Sequence, residues 1–167
     1  ALITISDVNR KAQAIKIAMD NVSFAMDSMV TNLREGAQFT CLTSIDNLST
    51  TFDFNNASIY LSGDRSCTDG GGIIFESKRA ESTDYIVYRF FEDTNGRGSI
   101  QKASGSTGSS PYADLTSPEV DIAELSFSVP DVTSSAKRPT VTMVINGEVP
   151  GKTPTKFNLQ TTTMANF

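Results

Sequence analysis

Few residues in this 167-residue sequence have the chemistry that catalysis requires. There is no histidine, which removes the commonest general base and the commonest metal ligand among the side chains. Glu119, Asp121 and Glu124 form a short cluster of carboxylates, but no neighbouring apolar segment predicts the pocket that a catalytic pair needs. We therefore expect these three side chains to form a solvated strand face, and we do not expect an enzyme.

A glycine-rich turn is the second place where a ligand could be held. Asp64, Asp69 and the glycines at 70–72 place carboxylates on a flexible segment, which suits a Ca²⁺ ion. Their spacing matches no EF-hand, and the glycines lack the Lys-Ser/Thr pair and the following helix of a phosphate-binding loop. We expect a plain turn, and neither a metal nor another cofactor.

Cys41 and Cys67 are the only two cysteines. Two thiols are too few for a four-ligand zinc site, and their wide separation excludes a CxxC redox pair. One disulfide is the simplest interpretation, and two buried free thiols are the alternative. A disulfide in an acidic chain rich in Ser and Thr indicates an oxidising compartment, so we expect a secreted or surface-exposed protein.

The overall charge narrows the range of partners. A formal net charge of -5 argues against nucleic acid as the primary partner, because binding phosphates requires clustered Lys and Arg.

The sequence has no apolar run of about 18 residues, so we expect no membrane span within it. Its length and its 38% of hydrophobic residues suit one folded domain.

The clearest pattern is an apolar stripe at the start of the chain. Its members recur in steps of three and four residues, as one face of an α-helix requires. The stripe consists of Ile5, Val8, Ala12, Ile15, Met19, Val22, Met26, Met29 and Leu33. No glycine or proline interrupts residues 1–35, and Gly36 stands where a left-handed C-terminal cap belongs. We predict one amphipathic helix over residues 1–36.

A helix of this length must extend beyond the domain that it belongs to. At 1.5 Å per residue, about 35 residues make a rod of roughly 52 Å, which exceeds the width of a small domain. We expect the part from about Met19 to Leu33 to pack on the protein's own body and the part from Ala1 to about Ala18 to protrude. The protruding stripe predicts contacts with other helices, with ordinary core packing or a two-stranded coiled coil as alternatives.

Beyond the helix the apolar pattern changes to a period of two, which is typical of β-strands. Strands are predicted at Phe39–Leu42, Ile59–Leu61, Ile73–Phe75, Tyr85–Phe91, Gly98–Lys102, Val120–Val129, Thr140–Ile145 and Phe157–Met164. We expect an irregularity near Ala123 and Glu124 within the sixth of these strands.

Turn residues separate these strands. Asn95-Gly96 and Asn146-Gly147 predict hairpin turns, and the Gly-, Ser- and Pro-rich residues 103–118 predict an exposed loop. Helix and strands do not alternate, so the pattern predicts an α+β fold in which a long N-terminal α-helix packs on an antiparallel β-sheet. Residues 37–167 would form the sheet and make one domain with the C-terminal half of the helix.

Two segments resemble the type IV pilin and pseudopilin family. Residues 9–36, from Asn9-Arg10-Lys11 to Glu35-Gly36, look like the second half of a pilin N-terminal helix, and Phe157–Thr162 resembles the last strand of such proteins. The resemblance implies a pilin-like fold and a structural subunit of an extracellular, cell-surface filament. Such a subunit polymerises through its helix with copies of itself or with related pilins in a helical array.

The resemblance also implies a segment that this sequence does not contain. Pilins begin with a Phe-like residue, carry a Glu at the fifth position and have a long apolar stretch that holds the subunit in the inner membrane before assembly. Ala1–Ser6 would correspond to the last turns of that stretch, so any membrane contact would run through the missing part. The alternatives are a minor pilin, a type II secretion pseudopilin, or an adhesion or DNA-binding module using loops 46–56 and 103–118.

Overall fold

The computed structural model describes residues 2–43, 49–61, 66–79, 84–130 and 138–166. Helix α1 (Leu2–Arg34) spans 33 residues without interruption, and a body of antiparallel strands follows it. The fold class is therefore α+β, as the sequence predicts. The first strand begins at Gly36, so the chain passes from helix into sheet without a loop. The predicted left-handed cap at Gly36 is therefore wrong, because this glycine begins β1 and does not have a positive φ.

Eleven strands and one short helix make up the described body. The strands are β1 (Gly36–Leu42), β2 (Thr51–Asp53), β3 (Cys67–Gly70), β4 (Gly72–Ser77), β5 (Asp84–Glu92), β6 (Gly98–Gly105), β7 (Ser109–Pro111), β8 (Ala113–Asp114), β9 (Asp121–Val129), β10 (Thr140–Val149) and β11 (Thr155–Met164). The short helix is α2 (Ala57–Leu61), and a 3₁₀ turn at Phe54–Asn56 precedes it.

The strands form two main sheets with antiparallel pairing. The order of the five-stranded sheet is β1-β4-β5-β6-β8, and that of the four-stranded sheet is β11-β10-β9-β3. Strands β2 and β7 pair separately. The main core lies between the two sheets and α1, and contains Phe75, Tyr88 and Ile100 from one sheet and Phe127 and Ile145 from the other.

The five-stranded sheet is buried on both faces. Alternate residues of its central strands contribute to a second apolar cluster, which contains Ile74 and Val87 from the sheet and Phe54 and Leu61 from the region of α2. This explains the uninterrupted apolar run around Ile73–Phe75, because a strand covered on both sides has no solvent face. In the four-stranded sheet, by contrast, buried and less buried positions alternate along the whole of β10.

Arg89 links this second cluster to two chain segments. It is almost completely buried, and its Nη2 donates hydrogen bonds to the carbonyl of Ser49 at 2.8 Å and to Gln101 Oε1 at 2.8 Å. Its guanidinium carbon lies 3.5 Å from the centre of the Tyr112 ring, a cation–π contact. Burial raises the pKa of Tyr112, and the charge of Arg89 opposes that rise.

Two local predictions are wrong. Ile59–Leu61 is not a strand, because it belongs to helix α2, whose Ala57 and Leu61 pack on the sheet while Ile59 remains exposed. Asn146-Gly147 is not a turn, because β10 continues through it to Val149. The glycine instead allows β10 to lie close to β9, because a Cβ at Gly147 would lie 2.6 Å from the carbonyl oxygen of Asp121.

Residues 103–118 do not form the exposed loop that their composition predicts. Ala103 is buried in β6, and the short strands β7 and β8 pair with β2 and β6. Thr116 is also buried, and its hydroxyl accepts a hydrogen bond from the backbone N–H of Ile100. The small residues allow close packing: a Cβ at Gly105 would lie 3.0 Å from the ring of Phe54.

Two other local predictions are confirmed. The pairing of β9 with β10 shifts register where Glu124 faces Asn146 and Ile122 faces Gly147, which leaves Ala123 as the irregular residue. The turn between β5 and β6 contains Gly96, whose φ of 77° is a conformation that glycine adopts without strain.

Candidate functional site

Helix α1 is the candidate functional element, and its two parts have different surroundings. In the C-terminal part, one side of the helix packs against the main core. Its buried members are Ala18, Val22, Ala25, Met29 and Leu33. Ile15, Met26 and Val30 pack beside them and are partly buried. The structure therefore places Val22, Met29 and Leu33 of the predicted stripe in the core, and leaves Ile15, Met19 and Met26 at its margin.

The N-terminal part of α1 has no such packing. Every residue from 4 to 14 is exposed, and we call these residues the exposed segment. Ile5 is 60% exposed and Val8 is 62% exposed, and Ala12 is exposed as well. The packed part begins earlier than expected, because Ala18, which was assigned to the protruding part, is fully buried. Its small side chain allows the helix to approach the body closely.

A second set of apolar side chains lies on the outer side of α1. Ile17 is 61% exposed and Phe24 is 74% exposed, although both belong to the part of the helix that packs on the body. Seven residues separate them, so they lie about two helical turns apart along one side. Neither residue belongs to the predicted stripe, and the seven-residue spacing of Ile17 and Phe24 is the signal in the sequence that points to this pair.

Polar contacts hold α1 to the body at three points along its packed part. Asn21 Oδ1 accepts a hydrogen bond from the backbone N–H of Ser117 at 2.8 Å. Further along, Asn32 Nδ2 donates to the hydroxyl of Tyr88 at 2.6 Å. At the end of the helix, the carbonyl of Arg34 accepts from the backbone N–H of Asn166. These contacts fix the direction in which the exposed segment leaves the body.

Tyr88 is the most perturbed of the groups that contact α1. Burial raises the pKa of its hydroxyl to about 12, and the hydrogen bond from Asn32 opposes part of this rise. The neutral phenol is therefore the form that the packed helix requires at physiological pH. The contact is structural, since Tyr88 is fully buried within the main core.

Cys41 and Cys67 are joined by a disulfide, with their Cα atoms 5.9 Å apart. Cys41 lies in β1 of the five-stranded sheet and Cys67 in β3 of the four-stranded sheet. The bond therefore connects the two sheets on one side of the main core. It also closes the segment that contains β2 and α2 into a covalent loop.

Each of the three carboxylates in the cluster at residues 119–124 accepts a hydrogen bond. Glu119 accepts from the hydroxyl of Ser117, Asp121 from the backbone N–H of Gly98, and Glu124 from Asn146. Asp64 and residues 46–48 of a predicted loop lie outside the described residues. Within the described ranges, no three Cys, Asp or Glu side chains converge as a metal site requires.

Comparison with known proteins identifies no relative: the chain matches no protein family, no curated protein and no solved structure. Among the helices of the described residues, none has both the length and the apolar character needed to cross a membrane.

Proposed function

We propose that this chain is a structural subunit of an extracellular filament of the type IV pilus kind. In this proposal it polymerises through α1 with copies of itself or with related subunits. The observation that carries the proposal is the exposed segment, which continues the packed part of α1 without a break. Most of the stability of a helix in a protein comes from tertiary packing. A row of apolar side chains on an unpacked helix is therefore suited to burial against other helices.

The exposed apolar side chains of α1 can supply enough binding free energy for such an interface. Full burial of one large aliphatic or aromatic side chain contributes roughly 1.5 to 3 kcal/mol. Ile5 and Val8 on the exposed segment, with Ile17 and Phe24 on the outer side of the packed part, offer four such groups along one rod. A head-to-tail contact that does not close on itself generates an open fibre, so one such interface repeated is sufficient for polymerisation.

The disulfide and the charge support the proposed location and partners. A disulfide between two sheets suits a protein that folds and works outside the reducing cytosol. We place the filament at the cell surface, with an inner-membrane pool of subunits before assembly. The net charge of -5 supports other subunits, rather than nucleic acid, as the primary partner.

Cysteine cross-linking within filaments tests the proposal. Val8→Cys is introduced into the full-length protein in the cells that make it, and surface filaments are sheared off and oxidised. We expect covalent multimers, because the exposed segments of neighbouring copies would be in contact. Gln160→Cys is the matched control, since Gln160 is also exposed but lies on the body. Filaments that lack this protein, or equal cross-linking of both variants, would contradict the proposal.

Immunogold electron microscopy of the same filaments distinguishes a major structural subunit from a minor subunit and from a subunit of a secretion pseudopilus. Label along the whole fibre supports a major structural subunit. Label confined to the tip indicates a minor subunit, and label confined to the cell envelope indicates a secretion pseudopilus.

A further inference from the structure

A cleft opens where the exposed segment of α1 passes the turn between β10 and β11. Its volume is about 510 Å³, which is large enough to hold several side chains. Asp7, Arg10 and Lys11 line it from the helix, and Lys152 lines it from the turn. Ile15 and Val149 are among its apolar walls. The cleft is therefore lined by both apolar and charged side chains.

The lining of the cleft has an excess of positive charge. It contains the three cations Arg10, Lys11 and Lys152 and one carboxylate, that of Asp7. None of these four side chains takes part in an ion pair within the part of the chain that the structure describes. Cations around a cleft, without anionic partners of their own, attract an anionic group from outside the subunit.

The rest of the same chain has the opposite charge. Residues 1–36 contain four basic and four acidic side chains, so the whole net charge of -5 belongs to residues 37–167. Part of this charge is concentrated on one surface, the acidic strand face, which we define as Glu119, Asp121, Glu124 and Glu148. The pairing of β9 with β10 brings Asp121, Glu124 and Glu148 together, with Asp121 directly opposite Glu148, and Glu119 lies in the turn before β9.

Two like charges directly opposite each other on paired strands are destabilising. Lys156 faces Glu148 from β11 and offsets part of this repulsion. The described residues show no ion pair for any member of the acidic strand face. The molecule therefore presents a basic cleft and an acidic strand face, and neither is neutralised within the subunit.

We propose that the basic cleft of one subunit binds the acidic strand face of a second copy of this chain. This inference rests on the proposed function, because polymerisation through α1 places the cleft beside the bodies of neighbouring copies. The apolar helix contacts supply most of the association energy, and the charged contact fixes the register between neighbours. Complementary charge is suited to this role, since it acts more on specificity and association rate than on affinity.

Zero-length cross-linking tests the contact directly. Filaments are assembled from equal amounts of ¹⁴N- and ¹⁵N-labelled subunits and treated with a carbodiimide, which joins an amine to a carboxylate only when the two touch. We expect peptides that link Lys11 or Lys152 of one isotope to Glu124 or Glu148 of the other. High salt should abolish these links, because it screens exposed charges. Filaments that form without any such link overturn this inference and leave the proposed function intact.

Charge reversal provides the second test, on the 167-residue chain at high concentration and low salt. A cleft variant carries Lys11→Glu with Lys152→Glu, and a face variant carries Glu124→Lys with Glu148→Lys. Each alone should reduce the dimer fraction measured by sedimentation velocity about ten-fold, and a mixture of the two should restore it, because opposite charges then meet again. Thermal unfolding of each variant verifies that it folds.

A matched control carries Lys16→Glu with Arg138→Glu, which makes the same change in net charge at exposed positions outside the cleft. Its dimer fraction in sedimentation velocity should equal that of the unmodified chain. A loss equal to that of the cleft variant would overturn the proposal in favour of non-specific charge effects. Vesicles of phosphatidylglycerol and phosphatidylcholine test a lipid occupant. If the cleft variant loses vesicle binding but keeps the dimer fraction of the unmodified chain, the cleft binds lipid and the proposal is wrong.

Discussion

At the scale of single residues, side-chain size decides how α1 packs. Ala18 and Ala25 alternate with Val22, Met29 and Leu33 along the buried side of the helix. The small residues let the helix approach the sheets, and the larger ones fill the space between them. Phe24, in the same stretch of helix, points away from the core and remains largely exposed. Its contribution to folding and its contribution to assembly are therefore separable.

Truncation of a buried residue in this stripe is expected to be costly. Leu33→Ala should lower the free energy of unfolding by about 2 to 5 kcal/mol, because it removes apolar contacts and leaves a cavity. Phe24→Ala is the control and should change it by less than about 0.5 kcal/mol. Urea unfolding followed by circular dichroism measures both values. Similar losses in the two variants would contradict the packing described for α1.

Tyr88 makes stability depend on pH in the alkaline range. The unfolded chain releases this proton near the usual pKa of 10.0, whereas the folded protein holds it up to about 12. The free energy of unfolding should therefore be unaffected by Tyr88 below pH 10 and decrease as pH rises from 10 to 12. Tyr88→Phe should flatten this decrease. Urea titrations at several pH values would detect the difference, and identical slopes would refute it.

At the scale of elements, the disulfide holds the two sheets together at β1 and β3. Cys41 lies at a strand that follows the helix directly, so the bond also connects α1, through β1, to the four-stranded sheet. A short strand such as β3, with four residues, has few ladder hydrogen bonds of its own. The covalent link therefore contributes most to the edge of the sheet where backbone pairing is least extensive.

Removing the disulfide should destabilise the fold by about 3 kcal/mol, the value expected for closing a loop of about 25 residues in the unfolded chain. The test is urea unfolding of two proteins, the unmodified protein and a double variant that carries both Cys41→Ser and Cys67→Ser. A reductant should lower the melting temperature of the first and leave that of the second unchanged. Equal stability of the two proteins would show that the bond constrains little.

At the scale of the whole molecule, one helix belongs to two environments. Its packed part completes the core of the subunit, and its exposed segment continues the same rod with every side chain from 4 to 14 exposed. Because the rod has no break, the position of the exposed segment is fixed by contacts that lie well away from it, such as those of Asn21 and Asn32. Folding of one subunit thus prepares the surface proposed for assembly.

Polar substitutions on the exposed segment should separate folding from assembly. Ile5→Ser with Val8→Ser should change the free energy of unfolding by less than about 0.5 kcal/mol, because neither side chain is buried in the subunit. The same variant should fail to form filaments in electron micrographs. Asn9→Ser with Gln13→Ser, on the same segment but outside the apolar stripe, should form them normally. Normal filaments from the first variant would argue against α1 as the assembly surface.

The periodicity of its apolar residues determined the long helix and most of the central strands of this protein. A helix from residue 2 to 34 was predictable because its apolar positions repeat every three to four residues without a glycine or proline. The strands around Phe75, Val87, Met143 and Leu159 were predictable from alternation and β-branched content. These features are local, so the sequence carries them directly.

Only the tertiary structure decided which neighbours each segment has. Composition predicted an exposed loop over residues 103–118, yet packing against Phe54 and pairing with β2 and β6 bury part of it, because small residues also allow close approach. The sequence predicted Gly147 as a turn residue, but in the structure it lies within β10, where the absence of a side chain allows close contact with β9. The cleft beside Lys152 and the pairing of Asp121 with Glu148 unite residues distant in sequence. Such juxtapositions depend on the path of the whole chain, which no local pattern records.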